Sequence, residues 1–437
     1  MTDYRDRLLL SRRAALTAIA VGAAGVTAAA CSTGDDSSDG AGQSKAPAEP
    51  KADITYSPAL DVTDASPIEV VSVKVSEGVL NPDVQLTNAN GRVVSGELSA
   101  DRTTYTITEP LGYGGQYTWA GSAMGEDGKA VPVAGTFGTL TPDSQIGLVI
   151  NIADGQEVGI AAPLMLKFDG VVTDKEAVEK ALTVTTTPPT EGSWGWLGED
   201  GGSRVHWRTK DYYQPGTTVS MVGKLYGVNY GDGSYGEADV TSDFVIGRNQ
   251  IVKADADSHQ IVVQNDGNTL MTLPCSYGEG DLDRNVTRSG IHVVSEKHEQ
   301  FYMSNPAAGY FNVLERFAVR ISNNGEFIHA NPATLGVQGS SNVTNGCINL
   351  SLEDAERYFN TAMYGDPVEV INTRIPLSEA DGDIFDWIYD WATWKSLSAI
   401  GGDPETNSAP ATPSNAPAVS GIPTTAVNSG APQAPVG

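Results

Sequence analysis

Histidine, cysteine and basic side chains are scarce in this chain of 437 residues. It has five histidines, three cysteines and 27 lysines and arginines, against 54 acidic residues. Three cysteines are too few for a disulfide scaffold in place of a hydrophobic core. The formal charge of −27 excludes nucleic acid and anionic lipid headgroups as direct electrostatic partners, because they carry the same sign. The acidity is spread along the chain, which reads as solvation rather than a binding patch. The one uncharged run of note, Ala14 to Ala30, is too short and too alanine-rich for a secure membrane span.

That run belongs to a targeting segment, residues 1–31, which is set apart from the fold. Arg5, Arg7, Arg12 and Arg13 form its positive start, and Ser11-Arg12-Arg13-Ala14-Ala15-Leu16 is similar to a twin-arginine signal. The bulky residue usual in that signal is replaced by Ala15, so general secretion stays open as the route. Ala28-Ala29-Ala30-Cys31 resembles a bacterial lipobox, in which Cys31 becomes a lipidated first residue. Acyl chains contribute about 0.8 kcal/mol per buried CH₂, so two or more anchor stably. Residues 32–53 are Ser, Gly, Asp, Ala, Pro and Lys and read as a flexible tether. The expected location is outside the cytoplasmic membrane, lipid-anchored and facing the cell wall.

Two blocks of short alternating strands follow, 54–142 and 143–248. Gln116–Ala120 and Leu164–Phe168 are clear strands, and Asn90-Gly91 and Asp127-Gly128 are hairpin turns. Their length and style predict two Ig-like β-sandwiches without the Cys…Trp…Cys signature of true immunoglobulin domains. Trp194, Trp196 and Trp207 fit a sandwich core better than a binding face. A third β-rich block, 249–374, carries one helix signal, Ser351-Leu352-Glu353-Asp354, with a helix expected to run to Tyr364. In 375–400, Trp387, Trp391 and Trp394 have the spacing of one helix stripe, expected to pack on the third block. Residues 401–437 are Pro, Ala, Ser, Thr and Asn, a composition of disordered tails. The fold class is therefore mainly β.

The third block also holds the chemistry. His329 precedes Cys347 by eighteen residues, in Phe327-Ile328-His329-Ala330 and Thr344-Asn345-Gly346-Cys347-Ile348-Asn349. A thiol beside glycine, with a histidine as base, is the material of a cysteine nucleophile. A free thiol ionises near pH 8.5, so Cys347 needs a neighbouring base or cation. Gly346 allows close backbone approach, and the N–H groups of Asn345 to Cys347 are candidate oxyanion donors. The competing possibility is a Cys275–Cys347 disulfide in an oxidising compartment, which would silence the thiol.

At these residues the chain resembles the YkuD-type L,D-transpeptidases, whose motif is a histidine, a gap, then Ser/Thr-His-Gly-Cys-x-Asn. His329, Thr344, Gly346, Cys347 and Asn349 match it, and Thr287-Arg288-Ser289-Gly290 resembles the family's Thr-Pro-x-Gly. The succession of lipobox, tether, Ig-like modules, catalytic block and Trp-rich tail is similar to actinobacterial members. Two departures stand out: Asn345 replaces the histidine before Gly-Cys, and Ala330 follows the upstream histidine where several relatives have serine. A third partner for the imidazole must therefore come from elsewhere. The resemblance implies peptidoglycan stem peptides as substrates, with a tetrapeptide donor and a diaminopimelate acceptor. It further implies a thioester at Cys347, a 3→3 cross-link, and carbapenem β-lactams as inhibitors. Thr344, Asn349 and Tyr310 are the expected substrate contacts, Tyr310 from a short flap at Met303–Leu314. No cofactor is implied, and His292 and His298 lack a third ligand at metal-binding spacing. A monomer is expected. Two other readings remain open: a sortase-like or carboxypeptidase acyl transfer, and a wall-binding scaffold with an impaired site.

Overall fold

Alternating burial organises the chain from its first strands onward. In Ser72–Ser76 and Val240–Ile246 every second side chain is buried, as expected for strands with one face on a core. The computed structural model describes residues 52–198, 202–382 and 384–401. The export segment with Cys31, nearly all of the tether and residues 402–437 lie outside the described residues.

Two separate apolar cores precede the third block. The first gathers Val73, Leu80, Leu86, Trp119 and Phe137. The second gathers Leu164, Phe168, Met221 and Phe244, together with Trp194, Trp196 and Trp207. Those three tryptophans are 6–7% exposed and serve as core. Tyr113 and Tyr226 join the two sandwiches: Tyr113 donates to the Gly236 carbonyl at 2.7 Å, and Tyr226 to that of Leu111 at 2.6 Å.

The third block is built from two sheets. In chain order its elements are β1 (Gln250–Asp255), β2 (Gln260–Asn265), β3 (Asn268–Pro274), β4 (Gly290–Val293), β5 (Glu296–Asn305), β6 (Tyr310–Arg320), β7 (Phe327–Ala330), β8 (Ile348–Leu350), α1 (Leu352–Thr361) and β9 (Pro367–Ile371). One sheet has the order β3-β2-β1-β9-β4 and the other β5-β6-β7-β8. Between them lie Val252, Ile261, Leu273, Val319, Ile328, Ile348 and Val368. The Ser351 hydroxyl accepts from the Asp354 N–H at 3.1 Å and starts α1 as its sequence predicts. The helix ends at Thr361, three residues before the expected Tyr364. Ala355 and Tyr358, one turn apart, are its buried face.

The structure departs from three expectations. Met303–Leu314 is not a loop between strands. Its two ends are the tips of β5 and β6, joined through a short turn at Pro306–Ala308. The three tryptophans of the C-terminal segment do not share one helix. Trp387 lies in a 3-10 turn, and Asp390 then caps a new helix, α2 (Trp391–Ser396). Nor does the segment pack on the third block alone. Trp394 packs with Leu197 of the second sandwich and donates to the Ser193 carbonyl at 2.9 Å. Trp387 packs on Ile291 and Val293 of β4 and donates to the Ala161 carbonyl. The segment thus straps the second sandwich to the third block. The buried Arg208 guanidinium sits over Trp387 and Trp394 at 4.7 and 4.9 Å from the ring centres. Desolvation lowers its pKa to about 10.

Because Trp394 is fully buried and makes both contacts, Trp394→Ala should cost about 3–5 kcal/mol of stability. Thermal unfolding followed by calorimetry checks this; a change near zero would mean the strap carries no packing energy.

Candidate active site

The site follows from one piece of strand pairing. β7 and β8 run parallel, with His329 opposite Asn349 and Ile328 opposite Ile348. Alternation along β7 sends Phe327 and His329 to one face, while Ile328 enters the core. Cys347, one residue before β8, arrives beside that same face. The turn that delivers it is braced by side chains. The Thr344 hydroxyl donates to the Cys347 carbonyl at 2.5 Å and accepts from the Gly346 N–H at 3.2 Å. The Thr287 hydroxyl donates to the Gly346 carbonyl at 2.7 Å. Gly346 has φ +118°, a backbone conformation that side chains disfavour, so glycine is required here.

Cys347 is 8% exposed, with Sγ 3.4 Å from the Gly325 carbonyl. His329 is buried, and Cys347 and Glu315 both act on its ring strongly enough to raise its pKa. Its Nδ1 lies 3.1 Å from Glu315 Oε2 and 2.9 Å from the Ala330 carbonyl. Both neighbours only accept, so Nδ1 carries the proton and Nε2 is left to exchange a proton with the thiol. Burial by itself lowers the His329 pKa, but the bonds and charges of Cys347 and Glu315 outweigh it and push the value up to about 10.

Glu315 is the third partner that the sequence requires but does not name. Its orientation comes from a β-bulge. β6 pairs with β7 through Val319–Ile328 and Arg316–Ala330, with a register shift between them where Phe317 takes φ +52°. Regular alternation would place Arg316 on the face of His329. The extra residue moves Glu315 there instead.

The other expected residues surround this array. A cavity of about 220 Å³ is lined by Met303, Tyr310, Thr344, Asn345, Cys347 and Asn349. A second opening, about 660 Å³, reaches Cys347 from the side of Arg284, Arg288, Arg320 and Glu326. Tyr310, Asn345 and Cys347 line both. Burial raises the pKa of the Tyr310 hydroxyl, and the Cys347 and Glu315 charges add to the effect. The buried Asn349 Oδ1 has no hydrogen-bond partner. Gly346 departs from its expected role: its N–H already serves Thr344, so it shapes the turn rather than presenting a free donor. Cys275 is a free, fully buried thiol, as Cys347 is free, and the two form no disulfide. Desolvation pushes the Cys275 thiol well above its ordinary range.

The raised His329 pKa has a definite sign. The imidazolium contributes stability in full below about pH 6.5, and that contribution is lost as pH rises through about 10. Glu315→Gln removes one of the two groups holding the proton. Titration of ¹⁵N-labelled histidine should then show the His329 pKa falling from about 10 towards neutrality, and the alkaline limb of Cys347 acylation should move down with it. An unchanged titration would remove Glu315 from the array.

Residues 249–370 match the L,D-transpeptidase catalytic domain family, and residues 62–229 match the bacterial Ig domain family. The chain is 56% identical to L,D-transpeptidase 5 of Mycobacterium tuberculosis (strain ATCC 25618 / H37Rv), over 90% of this chain and 86% of the relative. It is 33% identical to L,D-transpeptidase 2 of Mycobacterium tuberculosis (strain CDC 1551 / Oshkosh), over 89% of this chain and 96% of the relative. A solved L,D-transpeptidase in complex with imipenem aligns with TM-score 0.44 and 30% identity, covering 52% of this chain and 99% of that one. The chain has the mainly β architecture of an Ig-like region followed by a YkuD catalytic domain, and it belongs to the L,D-transpeptidase family of peptidoglycan cross-linking enzymes.

Proposed function

We propose that this protein forms 3→3 cross-links between peptidoglycan stem peptides through a thioester at Cys347. The observation that carries the reading is the Cys347–His329–Glu315 array, which lines one cavity and whose Cys347 also lines a second. His329 holds the thiol proton at Nε2, and Sγ attacks the carbonyl carbon of the bond between the diamino acid and D-Ala of a tetrapeptide donor. The N–H groups of Asn345 and Cys347 face the developing oxyanion. As the tetrahedral intermediate collapses, the C–N bond breaks, the imidazolium passes its proton to the departing D-Ala amine, and the thioester remains. A diaminopimelate side-chain amine of a second stem then attacks the thioester, His329 takes its proton, the C–S bond breaks as the new amide forms, and Cys347 leaves as the thiolate beside the imidazolium.

The two openings supply separate approaches for the two stems. On the smaller side, the unpartnered Asn349 Oδ1 accepts a donor N–H and Tyr310 packs over the chain. The acceptor enters from the arginine-lined side, where Arg284 and Arg320 attract its carboxylates. Asn345 cannot carry the charge of the family's histidine, and Glu315 supplies the electrostatic support that His329 needs. The array is complete, which supports catalysis over a scaffold role. We further propose that Cys31 is lipidated after export, so that the tether and Ig-like modules carry the site from the membrane into the wall.

A carbapenem should add to one thiol per chain, with the adduct seen by intact mass. Cys347→Ala should abolish the adduct, and Cys275→Ala, after its fold is verified, should retain it. No adduct on a folded, reduced protein would remove the activated-nucleophile reading.

A further inference from the structure

His292 lies on β4, fully buried, and is not part of the array described above. Both of its ring nitrogens face backbone carbonyls: Nε2 is 2.8 Å from the Arg288 oxygen and Nδ1 is 3.2 Å from the Ile321 oxygen. A carbonyl oxygen only accepts. A neutral imidazole has one N–H, so one of these contacts would set lone pair against lone pair inside the protein. A carboxyl group is at hand: burial raises its pKa, and His292, the Arg288 N–H and the Ser322 hydroxyl pull it back down. Glu326 is 3% exposed, with Oε2 3.8 Å from His292 Nδ1.

We infer that both ring nitrogens of His292 carry protons, that the ring is paired with Glu326, and that this buried pair positions the turn bearing Cys347. Glu326 accepts the Arg288 N–H at 2.7 Å and the Ser322 hydroxyl at 2.8 Å. Arg288 stands where the family motif has proline, which has no N–H to give. Its neighbour Thr287 holds the Gly346 carbonyl, and Glu326 itself follows Gly325, whose carbonyl lies 3.4 Å from Cys347 Sγ. The pair therefore ties together the backbone at 287–288, 321–326 and 346–347.

The other charged groups nearby are already engaged. The Arg288 guanidinium turns to Asp381, with Nε 3.1 Å from Oδ1. On β9, Val368 lies opposite His292 and is apolar, while the adjacent Glu369 is occupied with Tyr212 and Lys253. Glu326 is the one carboxylate within 4 Å of the His292 ring among the described residues. His292 is a positioning residue, acting through Glu326 and Thr287. Its protonation state rests on geometry alone, and only its effect on acylation rests on the proposed reaction.

The test is ¹⁵N–¹H correlation of the histidine rings in the full chain at pH 7, with His292 assigned by loss of its signals in His292→Gln. Both ring nitrogens should show the protonated shift. One nitrogen at the unprotonated shift would overturn the inference, whatever the enzyme does. In Glu326→Gln, with its fold verified, the same spectrum should show one nitrogen deprotonated. Carbapenem acylation of that variant should fall about tenfold between pH 6 and pH 8, where the wild type does not. A uniform, pH-independent loss, or no loss, would overturn the positioning role. A wild type with the protonated signature but no acylation would sink the proposed reaction and leave the ion pair standing.

Discussion

A parallel pairing of two short strands sets the distance between base and nucleophile. If β7 and β8 were displaced by one residue, the side-chain period of two would turn His329 into the core and bring Ile328 to the surface. That register is costly to change, because Ile328, Ile348 and Leu350 fill the core between the two sheets. Burial of aliphatic side chains, each contributing about 1.5–3 kcal/mol, thus fixes a catalytic geometry that polar contacts alone would leave loose. Thr344, Thr287 and Gly346 then deliver Cys347 to the exposed side of this frame.

The same packing creates an electrostatic problem that the fold resolves with carboxylates. A buried imidazole favours its neutral form, whereas acyl transfer needs one that holds and returns a proton. Glu315 and Cys347 reverse that preference at His329, and Glu326 lies 3.8 Å from the His292 ring behind the turn. Each carboxylate is tied by hydrogen bonds or by an ion pair, which is what makes its burial tolerable. The Trp-rich strap holds the frame from outside. Trp387 packs on β4, the strand of His292, while Trp394 packs on the second sandwich.

Much of this was legible in the sequence, for identifiable reasons. Strands with clean alternation, such as Gln116–Ala120 and Leu164–Phe168, appear with the expected bounds. The His329 and Cys347 motifs carry their chemistry in residue type and spacing. Glu315 was hidden because a bulge at Phe317 breaks the alternation that a sequence reader counts on. His292 and Glu326 were hidden because most of their partners are backbone carbonyls and amides, which leave no mark on residue type. The tryptophan stripe misled for a third reason: a spacing of four and three fits a helix, but the Asp390 cap breaks it into two pieces that face different partners.

The proposed chemistry requires that Cys347 link two stems rather than merely trim one. The most direct measurement is incubation of the protein with purified disaccharide-tetrapeptide, with products sequenced by tandem mass spectrometry. The expected product is a dimer that has lost one D-Ala, joined between two diaminopimelate residues and absent with Cys347→Ala. Release of D-Ala without any dimer, or no turnover by a folded and reduced protein, would contradict it.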